Sequence, residues 1–425
     1  MRNCLFPQIL TSVLLFVVPG VAQTCPGSPG CLDPTFGTGG KSLVAGTNNT
    51  TIHNLLILSD GKIVAMNSGN GVNGHTITRL NSDGSVDTTF GNSGSANFNW
   101  SVVNGNFTYY GNSNDTALQT IGGSERILVV GQAPIVSGKK VLTSRLRIDR
   151  LMPDGSFDPS WGNGGVLKLD TDSAYALAVQ PDQKIVLVSA TYQSIKRLNA
   201  NGTVDTTFGS GGTVSNVGDC RNVAIDAQGR IVIVNRYQTG NGNNTRINFA
   251  VRRFSSSGVP ETSFGGSGQT VAFQTQWIPN SLAIDPFGNI LVSSGFNGDF
   301  VVARLAPSGF LDTSFSGDGR VSVDFAGFPE GPASVVVQSD GKVVLAGDAD
   351  FAEGSNSDFG VVRFNYDGTL DSTFGNGGKV SFDMIGQDYL RSASIYYDGV
   401  GCACEKIIVG GGGPGYNTFA RLLAN

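Results

Sequence analysis

Residues 86–94 read VDTTFGNSG, and almost the same letters return as VDTTFGSGG at 204–212 and as LDSTFGNGG at 370–378. The shared pattern is an apolar residue, an acid, any residue, a serine or threonine, and an aromatic residue that is usually followed by glycine. Seven copies occur at a mean spacing of about 56 residues, which is typical of folds that use one supersecondary unit many times. The aromatic residues of the copies are Phe36, Phe90, Trp161, Phe208, Phe264, Phe315 and Phe374.

Each repeat also contains short apolar segments that are separated by turn residues. In the third unit these are ALAVQ at 176–180, DQKIVLVSA at 182–190 and the arm KRLNANG at 196–202, after which the aromatic motif opens a further strand. A continuous run of β-branched residues after a tight turn is typical of a strand buried on both faces. The sequence therefore predicts an all-β protein, a seven-bladed β-propeller of four-stranded antiparallel blades.

The two ends of the chain carry complementary parts of one repeat. The first motif copy, CLDPTFGTGGKS at 31–42, lacks the preceding arm, whereas the last residues, NTFARLLAN at 417–425, contain an arm without a following motif. We predict that residues 33–45 add as the outer strand to three strands from roughly 388–423, which closes the ring and leaves no incomplete sheet edge. An open linear array would instead need polar capping repeats.

The run Arg-Leu-Asn-x-Asp-Gly-[Ser/Thr]-x-Asp-x-[Ser/Thr]-Phe-Gly-x-Gly-Gly is best seen at 79–94, 197–212 and 363–378. It resembles the delta-60 repeat, a tandem module of secreted and surface bacterial proteins. The resemblance implies a repetitive β fold with no assigned enzymatic chemistry and no shared catalytic residues.

The first 22 residues have the pattern of a secretory signal peptide, with Arg2 ahead of an apolar run and Gly20-Val21-Ala22 as a small-x-small cleavage site. Residues 23–425 would then form one propeller that is secreted, periplasmic or held at the cell surface. No later apolar run approaches the length of a membrane-spanning helix. Charged residues make up only 14% of the chain, the net charge is -5 and no basic stripe occurs, so we expect no nucleic-acid partner. We expect a monomer.

Cleavage of the signal would remove Cys4 and leave an odd number of cysteines, namely Cys25, Cys31, Cys220, Cys402 and Cys404. Cys25 and Cys31 are a reasonable local disulfide in an oxidising compartment. The remaining pairing stays open, and a metal site at Cys402 and Cys404 lacks a neighbouring histidine.

The repeated residues are expected to be structural. The motif aspartate should accept backbone N–H bonds within its turn, and the aromatic ring should fill the wedge between blades. The alternative is calcium at these oxygen-rich turns; otherwise no cofactor is expected. A recurring arginine near the end of each third strand suggests an anion ring or, as its position favours, a bond to the turn. The motif aspartates are Asp33, Asp87, Asp158, Asp205, Asp312 and Asp371.

The connections from strand two to three and from strand four to the next blade vary most between repeats, so their shared face is the predicted binding surface. The longest insertion, 97–115, carries Trp100, Phe107, Tyr109 and Tyr110 among asparagines. These rings could stack on a sugar or peptide, or could pack the loop onto its own blade.

An acidic loop lies on the same face. It contains Asp348, Asp350, Glu353 and Asp358, which could bind a cation or remain solvated. His53 and His75 are equally ambiguous, because no nucleophile motif accompanies them.

The sequence favours an exported, non-enzymatic binding or surface scaffold that takes a glycan, peptide or protein ligand on the face of variable loops. The alternative is a propeller-type enzyme, a lyase or lactone hydrolase, with a metal or a carboxylate pair at the central channel. Convergence of carboxylates or histidines at the ends of the inner strands would distinguish the enzyme from the scaffold.

Overall fold

The computed structural model describes residues 27–45, 51–68, 75–98, 100–104, 107–109, 111–137, 140–169, 173–189, 191–240, 245–274, 281–296, 299–325, 331–349, 357–384, 386, 389–397, 405–413 and 415–424. Within these residues, seven four-stranded antiparallel sheets form the blades of a β-propeller, as predicted. None of the described helices is long and apolar enough to cross a membrane.

The strands follow the chain from the inside of each blade to its outside. Blade 1 contains β2 (Thr51–Ile57), β3 (Ile63–Ser68), β4 (His75–Leu80) and β5 (Ser95–Phe98). A small hairpin, β6 (Val102–Asn104) and β7 (Phe107–Tyr109), precedes blade 2, which contains β8 (Asn112–Ile121), β9 (Ser124–Ser137), β10 (Lys140–Leu151) and β11 (Val166–Leu169). Blade 3 contains β12 (Ala176–Val179), β13 (Ile185–Ser189), β14 (Ser194–Leu198) and β15 (Thr213–Ser215).

The remaining blades have the same order. Blade 4 contains β16 (Asp219–Ile225), β17 (Ile231–Thr239), β18 (Arg246–Phe254) and β19 (Thr270–Gln274), with a short 3-10 helix at Phe264–Gly266. Blade 5 contains β20 (Ser281–Ile284), β21 (Ile290–Phe296), β22 (Asp299–Leu305) and β23 (Arg320–Val323). Blade 6 contains β24 (Gly331–Val337), β25 (Val343–Ala349), β26 (Asp358–Phe364) and β27 (Lys379–Phe382). Blade 7 contains β28 (Tyr389–Tyr397), β29 (Glu405–Gly413), β30 (Tyr416–Leu423) and, from the other end of the chain, β1 (Lys41–Ala45).

The predicted closure of the ring is confirmed by the pairing of β1 with β30. The two strands are antiparallel, with Lys41 opposite Ala420 and Ala45 opposite Tyr416. The contact continues upstream, where the amide of Asp33 donates to the carbonyl of Arg421 at 2.8 Å. Because both chain ends contribute to one sheet, no blade is left with an incomplete edge.

The hydrophobic core lies between neighbouring blades rather than inside any one of them. One cluster, for example, joins Val186 and Val188 of blade 3 to Ile231 and Ile233 of blade 4, with Phe208 among them. The second strand of each blade is covered on both sides, which explains its unbroken apolar run; all five residues of β13 are buried.

The two faces of the disc differ as the sequence predicts. The connections between third and fourth strands span 14 or 15 residues in blades 1 to 6, whereas the connections between second and third strands span from two to eight and those between blades from three to 13. We call these the uniform-turn face and the variable-loop face. The inner strands begin at the variable-loop face.

Blade 2 shows one difference from the sequence expectation. The 71-residue interval between Phe90 and Trp161 was assigned wholly to the insertion at 97–115, but part of it extends β9 to 14 residues and β10 to 12. A pattern search sees only that the interval is long, because a lengthened hairpin and a longer loop add the same number of residues.

Candidate functional site

The repeated arginine, the motif acid and the motif aromatic form one unit, which we call the arginine clamp. In blade 1, Arg79 Nε donates to Asp87 Oδ2 at 2.7 Å, and the guanidinium carbon lies 4.5 Å from the centroid of the Phe90 ring. The other oxygen, Asp87 Oδ1, accepts from the backbone N of Thr89 at 3.1 Å and from its hydroxyl at 2.6 Å. Arg79 Nη1 reaches across to the carbonyl oxygen of Pro153 in the turn of blade 2. The clamp thus fixes its own turn and holds the next blade.

The clamp is present in all seven blades. Its members are Arg79–Asp87–Phe90, Arg150–Asp158–Trp161, Arg197–Asp205–Phe208, Arg253–Glu261–Phe264, Arg304–Asp312–Phe315, Arg363–Asp371–Phe374 and Arg421–Asp33–Phe36. In blade 4 a glutamate replaces the aspartate and keeps the ion pair, at 2.8 Å. All seven aromatic rings are buried. These arginines are therefore held by the protein itself and do not form an open ring for an anion.

The electrostatics of the clamp keep its carboxylates ionised. Burial alone would raise the pKa of Asp33, but hydrogen bonds from Lys406 and Thr35 and the charge of Arg421 together lower it to about 2. The same balance of burial against hydrogen bonds and a neighbouring cation lowers the pKa of Asp87. Protein donors occupy both carboxylate oxygens of Asp87, which accounts for this group without a cation.

A cavity of about 370 Å³ occupies the central channel, and all seven inner strands contribute to its lining. Five of these strands carry one extra residue relative to the second strand of the same blade, as in a β-bulge, near the end that meets the variable-loop face. Each extra residue lines the cavity. They are His53, Asn114, Arg221, Ala333 and Arg391. Bulges of this kind redirect a side chain and often lie beside binding sites.

The residues that follow the bulges join adjacent blades around the channel. Asp115 Oδ1 accepts from Asn54 Nδ2 of blade 1 at 2.6 Å and from the amide of Thr116 at 2.8 Å. Asp115 Oδ2 accepts from the amide of Leu177 in blade 3 at 2.9 Å. Burial dominates these hydrogen bonds and raises the pKa of Asp115 to about 6. The carboxylate is thus bound into the wall, where it connects three blades.

Two arginines on bulges, in blades 4 and 7, share the same construction. Arg221 Nε lies 3.4 Å from Asp219 Oδ1, and its guanidinium carbon lies 5.0 Å from the centroid of the Tyr175 ring. Arg391 Nη1 lies 2.9 Å from Asp348 Oδ2, and its guanidinium carbon lies 5.1 Å from the ring of Tyr389.

Both arginine side chains remain partly open to solvent, at 41% and 39%. Each guanidinium is therefore oriented by an acid and an aromatic ring while part of it faces the cavity.

His53 lies beside this positive charge. Burial, and after it the charge of Arg391, lowers the pKa of His53, so the imidazole is neutral at pH 7. A neutral imidazole offers one donor and one acceptor at the channel mouth.

The predicted aromatic site on the insertion is only partly described. Trp100 is buried, its indole N–H donates to Asp149 Oδ2 at 2.7 Å, and its ring lies 5.2 Å from that of His75. Its ring packs the insertion onto blade 2 and does not lie open to a ligand. Phe107 and Tyr109 lie in β7, but their side chains, and all of Tyr110, fall outside the described residues.

The predicted acidic cation site is also divided. Asp348 uses Oδ1 to accept from the amide of Leu390 at 2.7 Å and Oδ2 to bind Arg391, so it joins blade 6 to blade 7. Asp358 is buried in β26, whereas Asp350 and Glu353 lie outside the described residues. Among the described residues, no group of three or more histidine, cysteine, aspartate or glutamate side chains could hold a metal ion.

The cysteines follow two patterns. Cys31 is disulfide-bonded, whereas Cys25, its predicted partner, lies outside the described residues together with Cys402 and Cys404. Cys220 is free and buried, and its burial raises the pKa of the thiol to about 12.

Sequence reasoning missed the bulge positions. The inner segments ALAVQ, SLAIDP and SVVVQS are poor in ionisable groups, but the residue just ahead of the equivalent segment is charged in blades 1, 4 and 7. A small polar residue after it, as in Asn54, Asp115, Asn222, Ser334 and Ser392, is the signal that could have marked these positions.

The model of a family described as a domain of unknown function (DUF5122) with a β-propeller fold matches residues 58–90, 180–208, 288–315 and 338–374. Each matched segment runs to the motif aromatic of its blade. The match supports a tandem-repeat β-propeller. No curated protein matches the sequence.

Several solved structures share the architecture. Virginiamycin B lyase from Staphylococcus aureus superposes with a TM-score of 0.51 at 12% identity, over 90% of this chain and 98% of that one. The Dos1 propeller gives a TM-score of 0.52 at 10% identity, over 89% of this chain and 94% of that one. An ancestral GH74 enzyme gives 0.51 at 10% identity, over 89% of this chain and 48% of that one. At such identities the likeness shows the fold alone.

Proposed function

We propose that this protein is an exported, non-enzymatic binding protein that holds its ligand at the mouth of the central channel, on the variable-loop face. The observation that carries the proposal is the set of five bulges, each of which adds one residue to the lining of the same cavity. A volume of about 370 Å³ lies within the range of small-molecule sites, roughly 300–1,000 Å³.

The chemistry of the lining favours binding over catalysis. The carboxylate that lines the cavity, Asp115, is engaged by three hydrogen-bond donors and serves as part of the wall. The deeper lining is apolar, with Leu282, Val335 and Val336 among its residues. Fixed donors above an apolar floor suit a ligand that has one polar end or edge.

Two observations support export. The first 22 residues have the pattern of a signal peptide, and Cys31 is disulfide-bonded, as is common in oxidising compartments. We also propose that the repeats are of the delta-60 type, on the strength of the run at residues 79–94 and its copies.

The proposal is tested by equilibrium dialysis of the protein against a defined mixture of oligosaccharides, peptides and organic acids, with mass spectrometry of both compartments. Wild type is compared with Ser281→Trp, which places a large ring at a position that lines the channel. The exposed uniform-turn variant Asp340→Asn is the control.

We expect wild type and Asp340→Asn to retain compounds of unchanged mass, and Ser281→Trp to release them while its melting temperature is maintained. Retention that survives the tryptophan would overturn the location of the site. Appearance of product masses would instead make the protein an enzyme.

A further inference from the structure

The two bulged arginines are the feature of the channel mouth that the repeat architecture does not require. The seven clamp arginines are bonded on several sides and stack on buried rings near the opposite, uniform-turn face. Arg221 and Arg391 lie at the variable-loop face, and neither reaches the turn of a neighbouring blade. They therefore need an explanation other than the joining of turns.

Both guanidinium groups keep donors available. Within the described part of the chain, Arg221 uses only Nε for a hydrogen bond, and Arg391 uses only Nη1. A guanidinium has five N–H donors in a planar fork that matches the two oxygens of a carboxylate. The acids behind them, Asp219 and Asp348, do not line the cavity.

The charge that the cavity presents is accordingly positive. Its described ionisable lining residues are His53, Asp115, Tyr175, Arg221 and Arg391. Asp115 is the only acid of this group, and three hydrogen bonds hold its oxygens against the wall. An anion that enters the mouth would therefore meet two oriented cations.

The two arginines lie on opposite sides of the channel. Arg391 belongs to blade 7, next to His53 of blade 1, whereas Arg221 belongs to blade 4, next to Tyr175 of blade 3. In a ring of seven blades, blades 4 and 7 are as far apart as two blades can be. One compact anion would approach one of them, whereas a ligand with two acidic ends could reach both.

We infer that the channel mouth binds a small organic anion with an acidic group at each end, one directed at Arg221 and the other at Arg391. This inference rests on the proposed function and names the chemical class of its ligand. The apolar floor beneath the arginines would contact the carbon chain between the two acids.

The test uses α,ω-dicarboxylates from malonate to suberate, each paired with the uncharged diamide of the same chain length. Isothermal titration calorimetry measures binding to the full exported chain and to Arg221→Gln, Arg391→Gln and Arg236→Gln. Arg236 is the matched control because it also lies near Asp219, at 3.9 Å, is 34% exposed and does not line the cavity.

We expect one chain length to bind best, and its diamide to bind far more weakly. Arg221→Gln and Arg391→Gln should each weaken that dicarboxylate roughly 10- to 100-fold, since hydrogen bonds to charged groups contribute about 1.5–3 kcal/mol each. Arg236→Gln should change the affinity less than twofold. Melting temperatures of all variants verify that they are folded.

Two results would overturn the inference: dicarboxylates that bind no better than their diamides, or an equal loss of affinity in Arg236→Gln. Neither result affects the broader proposal if Ser281→Trp still abolishes the retention of neutral compounds. If dicarboxylates bind and Ser281→Trp leaves that binding unchanged, the ligand class stands but the channel mouth is the wrong site.

Discussion

The arginine clamp that joins the two ends of the chain allows a quantitative prediction. We expect Asp33→Asn to destabilise the protein through the loss of one ionised carboxylate. Asp33 accepts from Arg421 Nε at 2.7 Å and from Lys406 Nζ at 2.8 Å, and it is almost completely buried. Asparagine keeps an oxygen acceptor for the turn but removes the negative charge that faces both cations.

The magnitude follows from the pKa of Asp33, which is about 2 in the folded protein against an ordinary value of 3.8. At about 1.4 kcal/mol per pH unit, this difference corresponds to about 2 kcal/mol of folding free energy. Because the folded-state pKa is the lower of the two, the stabilisation is fully present above pH 4 and is lost as the pH falls through about 2. At pH 3 about half of it should remain.

The measurement is urea unfolding followed by tryptophan fluorescence, at pH 7 and at pH 3, for wild type, Asp33→Asn and Asp340→Asn. We expect Asp33→Asn to lose about 2 kcal/mol at pH 7 and about 1 kcal/mol at pH 3. Asp340 has a side chain that is 46% exposed, so its variant should change stability by less than about 0.5 kcal/mol. An equal loss at both pH values would refute the ionic explanation and would assign the effect to packing.

Three further outcomes follow from the packing. Gly84 has a φ of +85° and a Cβ there would lie 2.8 Å from the Phe36 ring, so Gly84→Ala should cost about 3 kcal/mol in urea unfolding, whereas Gly122→Ala, with nothing within 4 Å, should cost about 1 kcal/mol. Trp100→Phe removes the bond to buried Asp149 and should lower stability by about 2 kcal/mol, while dicarboxylate affinity changes less than twofold in calorimetry. Cys220, with a pKa of about 12 and no exposure, should resist iodoacetamide at pH 8 until urea unfolds the chain, as read by intact mass; modification of the native protein would contradict its burial.

The fold could be predicted from the sequence because the same physical demand recurs in every blade. Each wedge between blades needs one large ring, and each long turn needs one acid; these requirements produced seven visible copies of one pattern. The closure was predictable for the same reason, since Asp33 and Arg421 are the two halves of a unit that is continuous elsewhere.

The site was harder to predict because it depends on departures from the pattern. A bulge adds one residue to an inner strand, and only the register against the second strand shows which residue is extra. The role of Trp100 depends on Asp149, 49 positions away in β10, and on the extension of that strand beyond the usual length of a blade. Aromatic residues among asparagines have the same composition whether their rings are buried or open.

The bulges also have a consequence for how such a protein can acquire new specificity. An extra residue stands outside the alternation that fixes its neighbours, so its side chain can be exchanged without altering the register of the sheet. In this chain those positions already hold an imidazole, an amide, a methyl group and two guanidinium groups on one conserved frame. A combinatorial library confined to residues 53, 114, 221, 333 and 391 would therefore vary recognition while leaving the ring of clamps untouched.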